Sequence, residues 1–338
     1  MRLSVLDIGS RTVRLVVADA EGGVPLPVHT AKWKLRLSDH LHPCGRLGAE
    51  PVELLADAVA QARREARRRG AEEPLAFATA VVRDATNRDE VLARVYEKTG
   101  VRPRVMSGER EAELTFLGAR RWMGWQAGPL ALLDIGGGSL EVAFGRGRLP
   151  SFVTSLPLGA GRLTREFGTG HAEPPTRGQV KLLRRSVRHH LRDVAARIRW
   201  EGPRTVVATS RTFQQLGRLC GATPGRHGPF VTRTLRRCDL REAQQRLAEL
   251  SRADRAQLPG ISAPRAAQSL AGAVVGHTAM KLMDLDTVTI CPWAIREGIL
   301  LRRIEDGPDW WTTVDEGEAD DAEAPDNAVP LRVAELTG

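Results

Sequence analysis

The sequence predicts a mixed α/β protein made of two related halves. The segments 6–9 and 133–136 both read Leu-Asp-Ile-Gly, 127 residues apart, and each is followed by a small or polar turn and a second alternating strand. Repeated strand–turn–strand units indicate two related domains that face one another. A chain of 338 residues is also long enough for two domains. We predict them at 1–120 and 121–305, with the last helix packing back on the first.

The elements of the first half follow its hairpin in order. We expect a strand near 32–37, a helix over 51–69, a strand over 75–79, a helix over 87–98, a strand over 102–106 and a helix that begins after Ser107. Gly70 and Gly100 end the first two helices, because glycine readily adopts the left-handed conformation found there. The Ser107 hydroxyl is a typical helix N-cap.

The second half repeats this order. Its strands are expected at 130–134, 139–145, 151–156, 205–209 and 287–291, and its helices at 212–220, 240–250, 266–283 and 294–304. Three consecutive strands, followed by alternating helices and strands, predict a mixed five-stranded sheet in each half. The two halves therefore have the same predicted layout.

The composition excludes several classes of protein. Hydrophobic residues make up 42% of the chain and charged residues 27%, an ordinary globular balance. No apolar run approaches the roughly 18–20 residues of a membrane span, and the first residues show no signal-peptide pattern. The four cysteines form no Cys-x-x-Cys pair, which argues against a zinc knuckle or a disulfide framework. We therefore expect a cytoplasmic protein that does not bind membranes.

The net charge of +9 combines two opposite parts. Residues 306–338 contain ten acids and one base, a net of −9, so the other 305 residues have a net charge of +18. We predict that 306–338 is an acidic, disordered tail, with Trp310-Trp311 docking on the body. Only five of the 50 basic residues are lysine. The arginine excess either reflects codon usage alone or indicates a body that binds polyanions through guanidinium groups.

The segment DIGGGSLE, 134–141, has the composition of a phosphate and metal site. Three glycines in a tight turn let backbone N–H groups approach an anion closely. The carboxylates of Asp134 and Glu141 flank this turn, and Mg²⁺ prefers carboxylate, water and phosphate oxygens. The alternative is a glycine-rich hairpin with incidental acids. The similar turn after Asp7 favours the functional interpretation.

A basic segment at 181–200 reads KLLRRSVRHHLRDVAARIRW. Its cations could guide a long polyanion. Its apolar residues also fit the buried stripe of an ordinary amphipathic helix, whose charged face is simply solvated. The composition alone favours the second interpretation.

Four ordered motifs resemble the exopolyphosphatase/guanosine pentaphosphatase family of the sugar-kinase, heat-shock chaperone and actin superfamily. They are LDIGSRTVRLVV near the start, ATAVVRDATNRDE at 78–90, SGEREAEL at 107–114 and DIGGGSLE at 134–141. The similarity extends to about Ile304 and includes Arg296-Glu297-Gly298. It implies two ribonuclease-H-like, actin-like domains with an active site in the cleft between them. It also implies Mg²⁺-dependent hydrolysis of a terminal phosphoanhydride.

The resemblance assigns roles to single residues. Glu111 matches the catalytic glutamate that orients and deprotonates the attacking water. Asp7, Asp134 and Glu141 match acids that bind Mg²⁺, for which Mn²⁺ is an alternative ion. The phosphate-binding positions are Gly9, Ser10, Arg11, Thr12, Arg83, Gly136, Gly137, Gly138, Ser139, Ser210 and Arg211, with Arg14 and Arg265 as further candidates for polyanion contact.

This chain departs from the family pattern at several positions. Arg11 stands where asparagine is usual, and Arg211 replaces a small glycine beside the predicted phosphate site. Arg110 and Glu113 also differ from the common residues around Glu111. These changes leave the catalytic acids intact, so they concern substrate identity and rate rather than reaction class.

The sequence therefore predicts an exopolyphosphatase that releases orthophosphate from inorganic polyphosphate, preferring short chains because larger family members append a further helical domain. Hydrolysis of guanosine pentaphosphate to the tetraphosphate is the alternative. A weakly active polyphosphate or nucleotide sensor is a third reading. The resemblance further implies a homodimer. No recognised nucleic-acid-binding module is present, so no nucleic-acid partner is expected.

Overall fold

The first sheet has five strands. A computed structural model describes residues 1–171 and 173–313. The strands are β1 (Arg2–Ile8), β2 (Thr12–Asp19), β3 (Leu26–Lys34), β4 (Leu75–Ala78) and β5 (Arg104–Val105), in the order β3-β2-β1-β4-β5. β1, β2 and β3 pair antiparallel, whereas β4 and β5 continue the sheet in parallel. The predicted mixed sheet is confirmed.

The second sheet has six strands in the described residues, one more than expected. They are β6 (Leu130–Ile135), β7 (Leu140–Gly145), β8 (Phe152–Leu156), β9 (Thr205–Thr209), β10 (Thr234–Arg236) and β11 (Thr287–Ile290), in the order β10-β11-β9-β6-β7-β8. The additional strand, β10, is a three-residue antiparallel edge strand. Such a short segment is too small to show an alternating pattern in the sequence.

Helices cover both sheets. Those of the first half are α1 (Ala49–Arg68), α2 (Ala80–Arg83), α3 (Arg88–Thr99) and α4 (Gly108–Met123). Those of the second half are α5 (Ala160–Glu166), α6 (Arg177–Glu201), α7 (Ser210–Leu219), α8 (Arg237–Glu249), α9 (Arg252–Gln257), α10 (Ser269–Leu282), α11 (Ile295–Glu305) and α12 (Asp309–Thr313). No helix in the described part of the chain has both the length and the apolar character of a membrane span.

The two hairpins repeat one another in register. Asp7 pairs with Arg14 across β1 and β2, and Asp134 pairs with Glu141 across β6 and β7. Each turn closes in the same way, because the Gly9 N–H donates to the Thr12 carbonyl at 3.0 Å and the Gly136 N–H donates to the Ser139 carbonyl at 2.9 Å. The repeat predicted from Asp-Ile-Gly is therefore a repeat of backbone geometry.

α4 belongs to both halves. Leu114 packs with Leu3, Val5, Phe77 and α11 residues on the first sheet. The opposite side of α4 packs on the second sheet through Ala112, Phe116 and Ala119, beside Leu130, Leu132 and Ala143. α11 lies against α4 and β1, so this last helix returns to the first sheet. The N-terminus of α4 therefore lies where the two sheets approach one another.

The start of the expected acidic tail is ordered. Residues 309–313, which the sequence analysis assigns to a disordered tail, form α12. Trp310 is only 7% exposed and packs in the cluster beneath α4 and α11. Burial of this indole stabilises the short helix on the body, as expected for the Trp310-Trp311 pair. The rest of the predicted tail, 314–338, lies outside the described residues.

Glycines lie where α4 and α11 cross, so the two helix backbones are close together. A β-carbon at Gly298 would lie 1.8 Å from the Leu114 carbonyl oxygen. We expect Gly298→Ala to lower the free energy of unfolding by about 3 kcal/mol, because overpacking forces the helices apart. Urea denaturation measures this change. Gly147→Ala is the control, since a β-carbon there meets no atom within 4 Å; equal losses in both variants would contradict close packing at the crossing.

Candidate active site

The two hairpin turns meet across a cleft. A β-carbon at Gly137 would lie 3.3 Å from the Ser10 hydroxyl oxygen, and one at Gly138 would lie 2.7 Å from the β-carbon of Ala80. A cavity of about 560 Å³ lies at this junction, and both turns line it. The structure thus brings together the two predicted phosphate-binding loops, which are about 127 residues apart in the sequence.

The second loop is fixed by the start of α5. The carbonyl oxygens of Gly136, Gly137 and Gly138 accept hydrogen bonds from the N–H groups of Ala160, Arg162 and Gly159, at 2.9–3.2 Å. These contacts satisfy the carbonyl side of the loop. In the described residues, the N–H groups of Gly137 and Gly138 have no protein acceptor. Unpaired amides of this kind are available to an anion.

Each predicted metal acid accepts a hydrogen bond from a neighbouring side chain. Asp134 Oδ2 accepts from Thr209 Oγ1 at 2.7 Å. Glu141 Oε1 accepts from Ser155 Oγ at 3.1 Å. Asp7 Oδ2 accepts from Arg296 Nη1 at 2.8 Å, and Arg296 belongs to the late motif Arg-Glu-Gly. The acids are therefore oriented by residues from β8, β9 and α11.

Glu111 forms an ion pair with Arg83. Arg83 Nη1 lies 2.6 Å from Glu111 Oε1 and also donates to the Met106 carbonyl at 2.9 Å. The Ser107 hydroxyl accepts the Arg110 N–H at 3.1 Å, which confirms the predicted N-cap of α4. Glu111 is thus in the first turn of α4, with its side chain 13% exposed.

The buried carboxyl groups disfavour one another's ionised form. Burial and then Asp134 raise the pKa of Glu141 to about 7. Burial and then Glu141 raise the pKa of Glu111 well above its usual value, against the opposing effect of Arg83. Burial also raises the pKa of Asp134. Raised carboxyl pKa values of this kind are typical of functional sites.

Strained backbone lies beside Asp134. Ser210, the first residue of α7, has φ 79°, a conformation that favours glycine. The neighbouring Thr209 hydroxyl donates to Asp134 Oδ2, and the Ser210 hydroxyl accepts the Phe213 N–H at 3.4 Å. Ser210, a predicted phosphate-binding residue, thus lies directly beside the hydrogen bond from Thr209 to Asp134. Strain held at such a position is a mark of a functional site.

Unpaired cations converge beside the carboxylates. Arg14 and Lys32 are paired across β2 and β3. Burial, followed by the charges of Arg14, Arg265 and Arg211, lowers the pKa of Lys32. Burial, followed by Arg11, Arg211 and Arg14, lowers the pKa of Arg265 to about 10. Arg14, Lys32, Arg211 and Arg265 form no ion pair in the described residues. We call these four residues the cleft cations.

The turn of the first hairpin faces a second group of cations. Arg11, which replaces the usual asparagine, pairs with Asp39 at 3.2 Å. Arg162 and Arg165 of α5 line the same 560 Å³ cavity. Burial and the charges of Arg162 and Arg11 lower the pKa of Arg165, whereas Asp39 raises it. The cavity between the loops is therefore positively charged on one wall.

The carboxylates fit a divalent cation. Asp134, Glu141 and Glu111 repel one another, and a cation among them would relieve that repulsion. In the described residues, no three acid, imidazole or thiol side chains converge closely enough to ligate an ion by themselves. This arrangement suits Mg²⁺, which takes one or two carboxylates and completes its shell with water and substrate phosphates.

Sequence reasoning missed several residues of the site. Arg296 was quoted as part of a motif without a role, and Thr209 and Ser155 were not considered. A signal for Thr209 existed, because the pair Ala-Thr directly precedes both α2 and α7. Lys32 and Arg162 had no local signal, since their importance depends on contacts across the cleft.

Comparisons with known proteins show what the whole chain is similar to. The Ppx/GppA phosphatase family model matches residues 15–306. An uncharacterized protein of Streptomyces coelicolor is 70% identical over 334 residues, 99% of each chain. Exopolyphosphatase 1 of Mycobacterium tuberculosis is 44% identical over 311 residues, 91% of this chain and 90% of the relative.

The crystal structure of an exopolyphosphatase from Cytophaga hutchinsonii has the same fold. It superposes with a TM-score of 0.82 at 20% identity, covering 91% of this chain and 99% of that one. This likeness confirms the predicted class of two actin-like α/β domains. The match of the family model to most of the chain, together with the 44% identical relative, shows that the chain belongs to the Ppx/GppA phosphatase family.

Proposed function

We propose that the chain is an exopolyphosphatase, which hydrolyses the terminal phosphoanhydride of inorganic polyphosphate and releases orthophosphate. The observation that supports this substrate is the group of cleft cations, Arg14, Lys32, Arg211 and Arg265. They lie beside the carboxylates, come from both halves and form no ion pair in the described part of the chain. A chain of phosphates would supply the missing negative charge along a path, which a single phosphate group would not.

Glu111 is the proposed general base. It accepts a proton from the attacking water while the water oxygen bonds to the terminal phosphorus. The bond from that phosphorus to the bridging oxygen breaks, and the shortened chain leaves with the electron pair. The raised pKa of Glu111 suits this role, because a base works best when its pKa lies near the working pH.

Arg83 positions both reactants in this proposal. It holds Glu111 Oε1, while Glu111 Oε2 and Arg83 Nη2 form no hydrogen bond in the described residues. Oε2 can therefore accept the proton of the water, and Nη2 can donate to a phosphate oxygen. Phosphoryl transfer depends on such positioning and on charge stabilisation more than on covalent chemistry.

Mg²⁺ is the proposed cofactor, with Mn²⁺ as an alternative ion. Asp134, Glu141 and Asp7 would hold it, through water where the carboxylates do not reach. A bound divalent ion supplies charge stabilisation for the phosphate oxygens. The unpaired amides of Gly137 and Gly138 would bind the same phosphate from the other side.

Hydrolysis of guanosine pentaphosphate to the tetraphosphate is the second candidate. It is favoured by a cavity of about 470 Å³ beside Arg211, which Gln214, Arg218, Pro224 and Pro292 also line. A cavity of this size accommodates a small ligand. Turnover of this nucleotide at least as fast as of tripolyphosphate would favour it. Tight polyphosphate binding without any phosphate release would instead indicate a sensor.

Removing the proposed base tests the mechanism. We expect Glu111→Gln to lower kcat for phosphate release by about 10²–10⁴-fold, because glutamine cannot accept the proton. Steady-state release of orthophosphate from tripolyphosphate measures this. Glu109→Gln is the matched control, since Glu109 is an exposed acid in the same turn of α4. If both variants retain the parental kcat, Glu111 is not the base.

A substitution at Arg265 tests the polyanion path. We expect Arg265→Gln to raise KM for inorganic polyphosphate about tenfold or more, since a hydrogen bond to a charged group contributes about 1.5–3 kcal/mol. The melting temperature should not fall, because burial and neighbouring arginines disfavour the charge of Arg265 in the folded state. Arg226→Gln, an exposed cation outside the cleft, is the control. An unchanged KM for Arg265→Gln would contradict the assigned path.

Metal removal tests the carboxylate site. Chelation by EDTA should abolish phosphate release, and added Mg²⁺ or Mn²⁺ should restore it. Mg²⁺ should also raise the melting temperature of the parent protein, because ion binding relieves carboxylate repulsion in the folded state only. The double variant Asp134→Asn/Glu141→Gln should lose that thermal shift. A shift that survives in the double variant would place the ion elsewhere.

A further inference from the structure

α6 has a row of cations that the proposed active site does not use. Lys181, Arg184, Arg185 and Arg188 are all exposed. Their spacing of i, i+3, i+4 and i+7 places them on one face of the helix. At 1.5 Å per residue the row is about 10 Å long. The face beside it is buried in the core of the second half.

Two neighbouring helices add cations to this row. α10 packs against both α6 and α8. Gln244 of α8 is buried. When its side-chain amide is oriented with the oxygen towards Arg184, that oxygen accepts hydrogen bonds from Arg184 at 2.7 and 2.8 Å. Its nitrogen then donates to His277 Nδ1 of α10 at 3.2 Å. This bond network joins the three helices at the cationic row.

Cations of all three helices surround His277. Burial is the largest cause of the lowered pKa of His277, and Lys281, Arg184, Arg241 and Arg237 lower it further. Arg237 has acidic partners, since it lies 2.6 Å from Asp286. The others have none: within the described residues, no ion pair is formed by Lys181, Arg184, Arg185, Arg188, Arg241 and Lys281. We call these six residues the α6 cationic surface.

α10 connects this surface to the cleft. At the cleft end of α10, a β-carbon at Gly272 would lie 2.6 Å from Thr212 Cγ2, next to Arg211. Lys281 is nine residues further along the helix, a rise of about 14 Å. A substrate of two or three phosphates in the cleft would not reach the surface. A long chain leaving the cleft would.

We propose that the α6 cationic surface is a second binding site for long inorganic polyphosphate, outside the catalytic cleft. The proposal rests on the proposed function, since the chain would be held with its end in the cleft. It favours polyphosphate over single-stranded nucleic acid because none of the six residues is aromatic. Nucleic-acid grooves commonly use aromatic side chains to stack bases.

The test measures binding rather than turnover. In the Glu111→Gln background, the triple variant Lys181→Gln/Arg185→Gln/Arg188→Gln is compared with Arg64→Gln/Arg199→Gln/Arg226→Gln. The control removes three other exposed cations that form no ion pair in the described residues, and so changes the net charge equally. Affinity for labelled long-chain polyphosphate and for tripolyphosphate is measured over a range of salt concentrations. Single-stranded RNA is the third probe.

We expect the first triple variant to bind the long chain about tenfold more weakly than the control variant does. The slope of log K against the logarithm of the salt concentration should be less negative by about 2 for this variant. That is the change expected when three phosphate contacts with a single-stranded polyanion are lost. Tripolyphosphate binding should be equal in both. Unchanged long-chain binding, equal loss in both triple variants, or loss confined to RNA would each overturn the proposal.

The same experiment separates this proposal from the proposed function. Absence of phosphate release by the parent protein would refute the exopolyphosphatase activity. The binding comparison would still decide whether the surface binds the long chain. Normal phosphate release, with no difference between the triple variants, would refute the surface alone.

Discussion

Repulsion among buried carboxylates is the constraint that the structure around the cleft accommodates. Asp134, Glu141 and Glu111 each lose solvation and each disfavour the charge of another. Single donors from separate elements compensate in part, such as Thr209 for Asp134 and Arg83 for Glu111. Most folds avoid such an arrangement because buried like charges are costly. Its presence between two glycine turns is what makes the cleft suited to a cation and phosphates.

The arginine excess divides into groups with different surroundings. Arg83 and Arg296 are bonded to carboxylates and orient them. The cleft cations form no ion pair in the described residues, and burial followed by the charges of neighbouring arginines lowers the pKa of Arg14 and Arg265. Unpaired cations that repel one another do not stabilise the folded state. A bound anion would compensate this positive charge.

Much of the fold was predictable because its signals are local. The repeated Asp-Ile-Gly turn gave two hairpins with the same register, and Ser107 gave the start of the helix that positions Glu111. Contacts between distant parts of the chain were not predictable. Arg296 bonds to Asp7 across 289 residues, and nothing in either segment indicates the other. The three-residue strand β10 was missed because it is held by pairing with β11 rather than by its own pattern.

The position of α4 has a mechanical consequence. One side of this helix packs on the first sheet and the other on the second, and it crosses α11 with almost no side chain between the backbones. A rotation of one half against the other therefore moves Glu111 relative to at least one phosphate loop. The distance from Glu111 to each of the two loops thus depends on how the two halves are oriented relative to one another.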